Sequence, residues 1–438
     1  MIEGSLIFII ILSTLLFGSV ETWSIAVVGV LIALTFLFFI VRLKSFHIGS
    51  PVLKGLLFTM IGLSLYPVFQ LIPLPFSIVS TASPEMKEIV TLSPHAIPLS
   101  HSISIYPFAT ETAFSRLLAY LMVFSIAVFG IQNRERLYRM LKVLAVFGFI
   151  VAVFGIIQHT AGNGKIYWFR ELTHGGSPFG PFVNRNHFAG FIGMIIPLSL
   201  GVGLMTRSLE KKVMYTFFSI TMTIALFFSL SRGGIVSFFS GIMVFIFVVF
   251  GKTYSVRRLV PVFLFILILA SYILYLGITP IIDRFLQTDV SNEQRLLAWQ
   301  GVLSALKDYP IFGSGLGTFQ YIFKIYKPDG LYLYWDHAHN DYLELLLEVG
   351  IVGIIIIAIF FFFELKAILK TPWEGKEIYL HAAFLSAITT IAVHSVVDFN
   401  LQIPSNAITF FLILGMAVSL SRNRKQKEIE IEIEKQKG

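Results

Sequence analysis

Asp336-His337-Ala338-His339-Asn340-Asp341-Tyr342-Leu343-Glu344, followed by Leu345-Leu346-Leu347-Glu348-Val349-Gly350-Ile351-Val352-Gly353, is the stretch on which the reading of this 438-residue chain turns. Its first part crowds six polar or ionisable side chains into nine residues, and the chain then runs apolar almost unbroken to Phe363. Only 13% of the chain is charged and 56% is hydrophobic. In such a chain, a polar cluster opening an apolar span is where chemistry should be sought first.

The surrounding sequence is membrane scaffold. Apolar runs of about 20 residues are long enough to cross a bilayer, and with no strand-like alternation a helical bundle is the economical fold. The 44 Phe and 16 Tyr suit lipid-facing and interfacial surface. A formal charge of +8 would suggest nucleic acid in a soluble protein, but here it fits basic cytoplasmic loops and no nucleic-acid partner is expected. With no cysteine, disulfides, thiolate nucleophiles and cysteine metal sites are excluded.

The pattern predicts an all-α polytopic membrane protein of about twelve spans, near 5–20, 24–41, 52–72, 112–131, 137–158, 187–205, 213–230, 234–250, 259–277, 342–364, 377–397 and 405–420. The first lacks the positive n-region of a signal peptide and reads as a retained helix. Alternate connections, with the tail, hold 22 of the 33 Lys and Arg, which makes them cytoplasmic and puts both termini inside. Residues 1–421 read as one membrane domain and 422–438 as a charged cytoplasmic tail, helical or disordered.

Three long connections fall on the opposite side, at 73–111, 159–186 and 278–341, the last preceding span ten. The first carries a short helical hint near Pro84–Val90. In the last, Ser291-Asn292-Glu293-Gln294 reads as a capping box. Leu296, Trp299, Leu303 and Leu306 then recur at helical spacing, which predicts an amphipathic helix over 292–308 on the membrane surface or the bundle.

On that same side lie Arg185 and His187 at the start of span six, Arg232 in Ser231-Arg232-Gly233-Gly234, and Arg295 in the first turn of the surface helix. His337, His339 and Asp341 precede span ten, and His394 and Asp398 end span eleven. Forked arginines suit bidentate contact with phosphate, and His339 is the proton-transfer candidate. Together they suggest a diphosphate held at the membrane face. Blander readings stand beside these. A lone arginine snorkels to headgroups, Asp341 and Glu344 resemble a helix cap, and Asp336, His337, His339 and Asp341 offer ligands to a divalent metal. His394 and Asp398 either face the site or pack against span twelve.

His339-Asn340, nine residues, then Gly350-Ile351-Val352-Gly353 resembles the motif of the O-antigen ligase and polymerase superfamily of bacterial envelope glycosyltransferases. Ser231-Arg232-Gly233-Gly234 and Arg295…Trp299…Pro310…Gly313-Ser314-Gly315-Leu316-Gly317 are similar to it too, and the resemblance covers roughly 180–400. Ile354 departs mildly from the usual Thr or Val, and Asn184-Arg185-Asn186-His187 lies outside the ligase motif.

The resemblance implies a GT-C-like fold and metal-independent, cofactor-free transfer of a glycan from undecaprenyl diphosphate to a lipid or glycan acceptor. The reaction would take place on the outer face of the bacterial inner membrane, in lipopolysaccharide or other cell-surface polysaccharide biogenesis. Arg232 and Arg295, with Arg185, would grip the diphosphate, and His339 would activate the acceptor hydroxyl. His337, Asn340, Asp341, His187 and Asp398 would support it or face the acceptor. No nucleotide fingerprint is needed for such a reaction, and none is seen. Polymerisation of lipid-linked repeat units is the alternative chemistry. A transporter of lipid-linked sugars is the rival from another class, but the mid-membrane charges and broken repeat helices it favours do not stand out.

Overall fold

Among the described residues of a computed structural model of the chain, ten helices are long and apolar enough to cross a membrane, by length and composition. It describes residues 2–43, 50–75, 77–79, 100–131, 133–172, 176–253, 290–331, 334–370, 373 and 375–437, and the single positions 260 and 267. The helices are α1 (Ile2–Leu15), α2 (Thr22–Arg42), α3 (Pro51–Leu71), α4 (Pro107–Gly130), α5 (Arg134–Thr160), α6 (Arg185–Met205) and α7 (Leu209–Phe228). There follow α8 (Arg232–Thr253), α9 (Val290–Ala305), α10 (Phe319–Tyr326), α11 (Asp341–Leu369), α12 (Ile378–His394) and α13 (Pro404–Lys437). A two-residue antiparallel pair joins Leu74–Pro75 to Ser100–His101.

The all-α polytopic expectation holds. Ten of the twelve predicted spans have matching helices. The first is α1, whose 14 residues rise only about 21 Å, short of a typical hydrocarbon core. The expected span at 259–277 and the helical hint near 84–90 lie outside the described residues. The tail continues α13 as helix to Lys437.

Helix α6 is buried on nearly every side, as a helix apolar all round must be, and packs against α5, α7, α8 and α12. The stretch of α13 from Pro404 to Arg422 is buried as fully, against α4. The two ends of this bundle differ in chemistry. At one end Arg134 pairs with Glu377, Arg136 Nε lies 3.1 Å from Glu3 Oε1, and Lys376 Nζ donates to the Thr206 carbonyl. The basic connections therefore gather there. At the other end lie the starts of α6, α8 and α11, the end of α12, and a separate small core between α9, α10 and the 331–347 stretch.

That small core shows which face of the surface helix packs on the bundle. Helix α9 buries Ala298, Gly301, Val302 and Ala305, while Leu296 and Leu303 are exposed at 56% and 52%. Small residues allow close packing in a membrane protein, where large apolar side chains gain nothing by leaving lipid. The helix also starts at Val290, so Arg295 stands in its second turn, not its first. The side chain of the expected cap, Ser291, lies outside the described residues.

Candidate active site

Helices α6 and α8 both begin at one cavity of about 300 Å³, and each carries an arginine at its first position. Asn184 caps α6 by accepting from the Asn186 amide at 2.9 Å, and Ser231 caps α8 by accepting from the Gly234 amide at 3.2 Å. A guanidinium at a helix N-terminus opposes the macrodipole, an arrangement relieved when both face a common anion. Gly233 lets the first turn of α8 approach α12, since a Cβ there would meet Val397 Cγ2 at 2.7 Å and His394 Cδ2 at 3.0 Å. Arg295 reaches the same cavity from α9, where its Nη1 donates to the Val397 carbonyl at 3.0 Å. His394 lines the wall as well, and neither ring nitrogen has a hydrogen-bond partner among the described residues. Three guanidiniums and an imidazole thus face one space, with Asp398 as its acidic member.

Asp398 joins this cavity to the histidines. Its buried Oδ1 accepts from the Phe399 amide at 2.9 Å, lies 3.4 Å from His339 Nδ1, and is 4.0 Å from His187 Nε2. The His339 contact is close but lacks good hydrogen-bond alignment. Burial pushes the Asp398 carboxyl up, but His339, His187 and Arg295 outweigh that and hold it well below the usual carboxylate range. Phe399 is the common packing partner: His337 stacks on it at 4.4 Å between centroids, while His339 and His187 meet it edge-on at 4.7 and 4.8 Å. His339 takes a left-handed backbone with φ of 50°, costly for a residue with a side chain and typical of a position the surroundings enforce.

That turn separates the two histidines. His337 Nδ1 lies 2.7 Å from Glu344 Oε1, and the Ala338 amide donates to Glu344 Oε2 at 2.7 Å. Burial lowers the His337 pKa, but Glu344, Asp336 and Glu348 together raise it to about 9. The cap of α11 is Asn340, whose Oδ1 accepts from the Tyr342 and Leu343 amides at 3.0 Å each. Asp341 instead binds across the site, its amide donating to the Ser395 carbonyl and its Oδ2 accepting from the Leu401 amide at 3.1 Å. The Asp-x-x-Glu reading as a cap is thereby corrected. The histidines turn to different carboxylates, and among the described residues no group of three or more His, Cys, Asp or Glu side chains could hold a metal ion.

The Gly-x-x-Gly half of the motif has a structural explanation. Helix α11 breaks at Gly350, with φ of 60° and ψ of −172°, a region essentially reserved for glycine. The 310–316 loop docks into the break: Ile351 and Val352 donate to the Pro310 and Ile311 carbonyls, and Ser314 and Gly315 donate to those of Leu347 and Glu348. Tyr66 Oη donates to the Val349 carbonyl at 2.6 Å, and Gln70 Nε2 donates to those of Phe312 and Glu348 at 2.8 and 2.9 Å. Gly353 leaves room for the Tyr66 ring, which a Cβ would meet at 2.9 Å. The nine intervening residues set roughly 13 Å between this anchor and the histidine turn. From the other side, Trp299 Nε1 donates to the Ala338 carbonyl at 2.9 Å and ties α9 to the motif.

The sequence-predicted residues therefore assemble, in differing ways. Arg185, Arg232, Arg295 and Asp398 line one cavity, and His339 reaches it through Asp398. His187 and His337 face a second cavity beyond Phe399, and Asn340 and Asp341 brace the backbone. Sequence reasoning missed Phe399 as the hub and Glu344 as the partner of His337. It also missed Ser177, which lines the cavity and whose carbonyl accepts from the Arg185 amide at 2.6 Å. Nothing local in the sequence marks Phe399 or Ser177.

Residues 217–358 match the family model described as O-antigen ligase. That segment contains Arg232, Arg295, His339 and both motif glycines; Arg185, His187 and Asp398 fall outside it. A Rickettsia conorii protein named "Putative polysaccharide ligase" is 24% identical over 263 residues, covering 58% of this chain and 61% of the relative. The chain thus matches less than two thirds of that relative's length. A chain from a solved structure described as "Structural coordination of polymerization and crosslinking by a peptidoglycan synthase complex" is 14% identical, with a TM-score of 0.40. The alignment covers 85% of this chain and 98% of that one. The resemblance read from the His339 motif is borne out: residues 217–358 match the O-antigen ligase family model, and the chain is similar to a protein named as a polysaccharide ligase.

Proposed function

We propose that the protein is a ligase-like membrane glycosyltransferase of polysaccharide biosynthesis, moving a glycan from undecaprenyl diphosphate to an acceptor hydroxyl on the outer face of the inner membrane. The observation that carries this reading is the convergence of Arg185, Arg232 and Arg295 on one cavity whose wall includes Asp398, the carboxylate facing His339. The acceptor oxygen forms its bond to the anomeric carbon as the bond from that carbon to the diphosphate oxygen breaks. The electron pair leaves with undecaprenyl diphosphate, where the arginines meet the growing phosphate charge. His339 takes the hydroxyl proton. With Nδ1 turned to Asp398, Nε2 is the nitrogen left for the acceptor, and Asp398 stabilises the imidazolium that forms.

Arg232→Ala and Arg295→Ala should each lower turnover by roughly 10²–10³, and His339→Ala should abolish transfer while donor binding persists. The assay is glycan transfer by purified protein from a lipid-linked donor. Near wild-type transfer by His339→Ala would return that residue to a structural role. Polymer ladders made from lipid-linked repeat units alone would replace ligation with polymerisation.

A further inference from the structure

On the far side of Phe399 and His187 from the three arginines lies a second cavity of about 470 Å³. It shares Gly176 and Asn184 with the first, so the two approach the same wall from opposite sides. Its apolar part comes from the start of α2 and the start of α13, including Ile25, Ile403 and Pro404. Its charged lining is mostly accounted for: Arg170 pairs with Glu21, Glu171 lies 2.6 Å from Lys165 Nζ, and Asp336 lies close in sequence to the positive His337. Arg116 is different. It projects from α4, in the half of that span nearest the site, and among the described residues it pairs with no carboxylate. A guanidinium within a membrane span is costly unless it faces a cavity and an anion.

We propose that this second cavity is the acceptor subsite, and that it takes a membrane-anchored amphiphile whose phosphate is held by Arg116. The proposal rests on the transferase reading above. A transfer between two lipid-borne substrates needs two anionic headgroup sites flanking one base, and the two cavities flank the wall that carries His187, Phe399 and Asp398. The apolar residues of the α2 and α13 starts receive the lipid stem, while the hydroxylated part extends toward His337 and His339.

The probe is farnesyl diphosphate, titrated into full-length protein in phosphatidylcholine nanodiscs, with stoichiometry read by native mass spectrometry and affinities by calorimetry. Wild type should bind two molecules. Arg116→Gln, or Arg116→Met if the first variant folds poorly, should weaken one site at least tenfold and leave the other within about twofold. Arg116→Lys should hold both. The Arg232→Ala/Arg295→Ala protein should lose the other site and keep the one at Arg116. If that double variant keeps both, the donor reading fails while the Arg116 subsite stands. A single site in wild type, or two unchanged sites in both Arg116→Gln and Arg116→Met, overturns the proposal. So does loss of the Arg116 site alone when phosphatidylglycerol replaces part of the phosphatidylcholine, because an ordinary headgroup would then be its occupant.

Discussion

Replacing Asp398 by Asn tests the link between the arginine cavity and the histidine turn with the least disturbance to the fold. Asn keeps an Oδ1 for the Phe399 amide, now 2.9 Å away, and changes only the charge facing His339 and His187. The carboxylate lies 3.4 Å from His339 Nδ1, and at an effective dielectric near 20 a unit pair at that distance is worth about 5 kcal/mol. That is a ceiling for the stabilisation of an imidazolium formed as the acceptor loses its proton. The contact is poorly aligned, and the site opens to water through the cavity, so about half should be realised. About 2.5 kcal/mol corresponds to roughly 10² in turnover. Single-turnover transfer from a lipid-linked donor measures it, with donor affinity determined in parallel. The expected result is a fall in rate with affinity changed by less than about threefold. A rate within fivefold of wild type would remove Asp398 from proton transfer and leave it a structural carboxylate.

Further outcomes follow from other parts of the structure. Gly350→Ala imposes φ near +60° on a residue with a Cβ, which would also meet the Ile311 carbonyl at 2.4 Å, so roughly 1–3 kcal/mol of strain plus the clash should lower the thermal midpoint and activity together. His337 is raised from its ordinary 6.5 to about 9, so its contribution is full below pH 6.5 and lost as pH rises through 9. The melting midpoint should therefore fall across that window, by at most about 3 kcal/mol of stability, and His337→Asn should flatten the fall; equal slopes would discount the Glu344 pair. Single cysteines at Lys307 and Arg424, in a chain without others, should be labelled by an impermeant reagent on spheroplasts at the first position only. Labelling at the second position alone would reverse the topology.

What was legible in the sequence was whatever a local pattern encodes. Spans follow from run length, and the His339 motif follows from a polar cluster meeting an apolar helix. The arginine convergence was legible because charge bias assigned all three connections to one side. Other features depended on contacts distant in sequence. Glu344 looks like a capping acid until His339 turns the chain left-handed and brings His337 back onto it. Phe399 carries no mark, being one of 44 phenylalanines, yet three histidine rings pack on it. The buried face of α9 was not marked by the leucine spacing: Leu296 and Leu303 lie exposed, while Ala298, Gly301 and Ala305 make the packing surface.

The break at Gly350 also matters for how the site meets bilayers of different thickness. A continuous helix from Asp341 to Leu369 would transmit any change of tilt directly to the histidine turn, as spans adjusting to a thicker or thinner membrane must tilt or bend. Here both sides of the break are fastened: Leu347 and Glu348 above it and Ile351 and Val352 below it hydrogen-bond the 310–316 loop, and Tyr66 and Gln70 bind the carbonyls of Val349 and Glu348. The break at Gly350 is thus a clamp on the span rather than a free hinge. Held there, the span should take up a change of tilt below Gly353, away from His339 and Asp398.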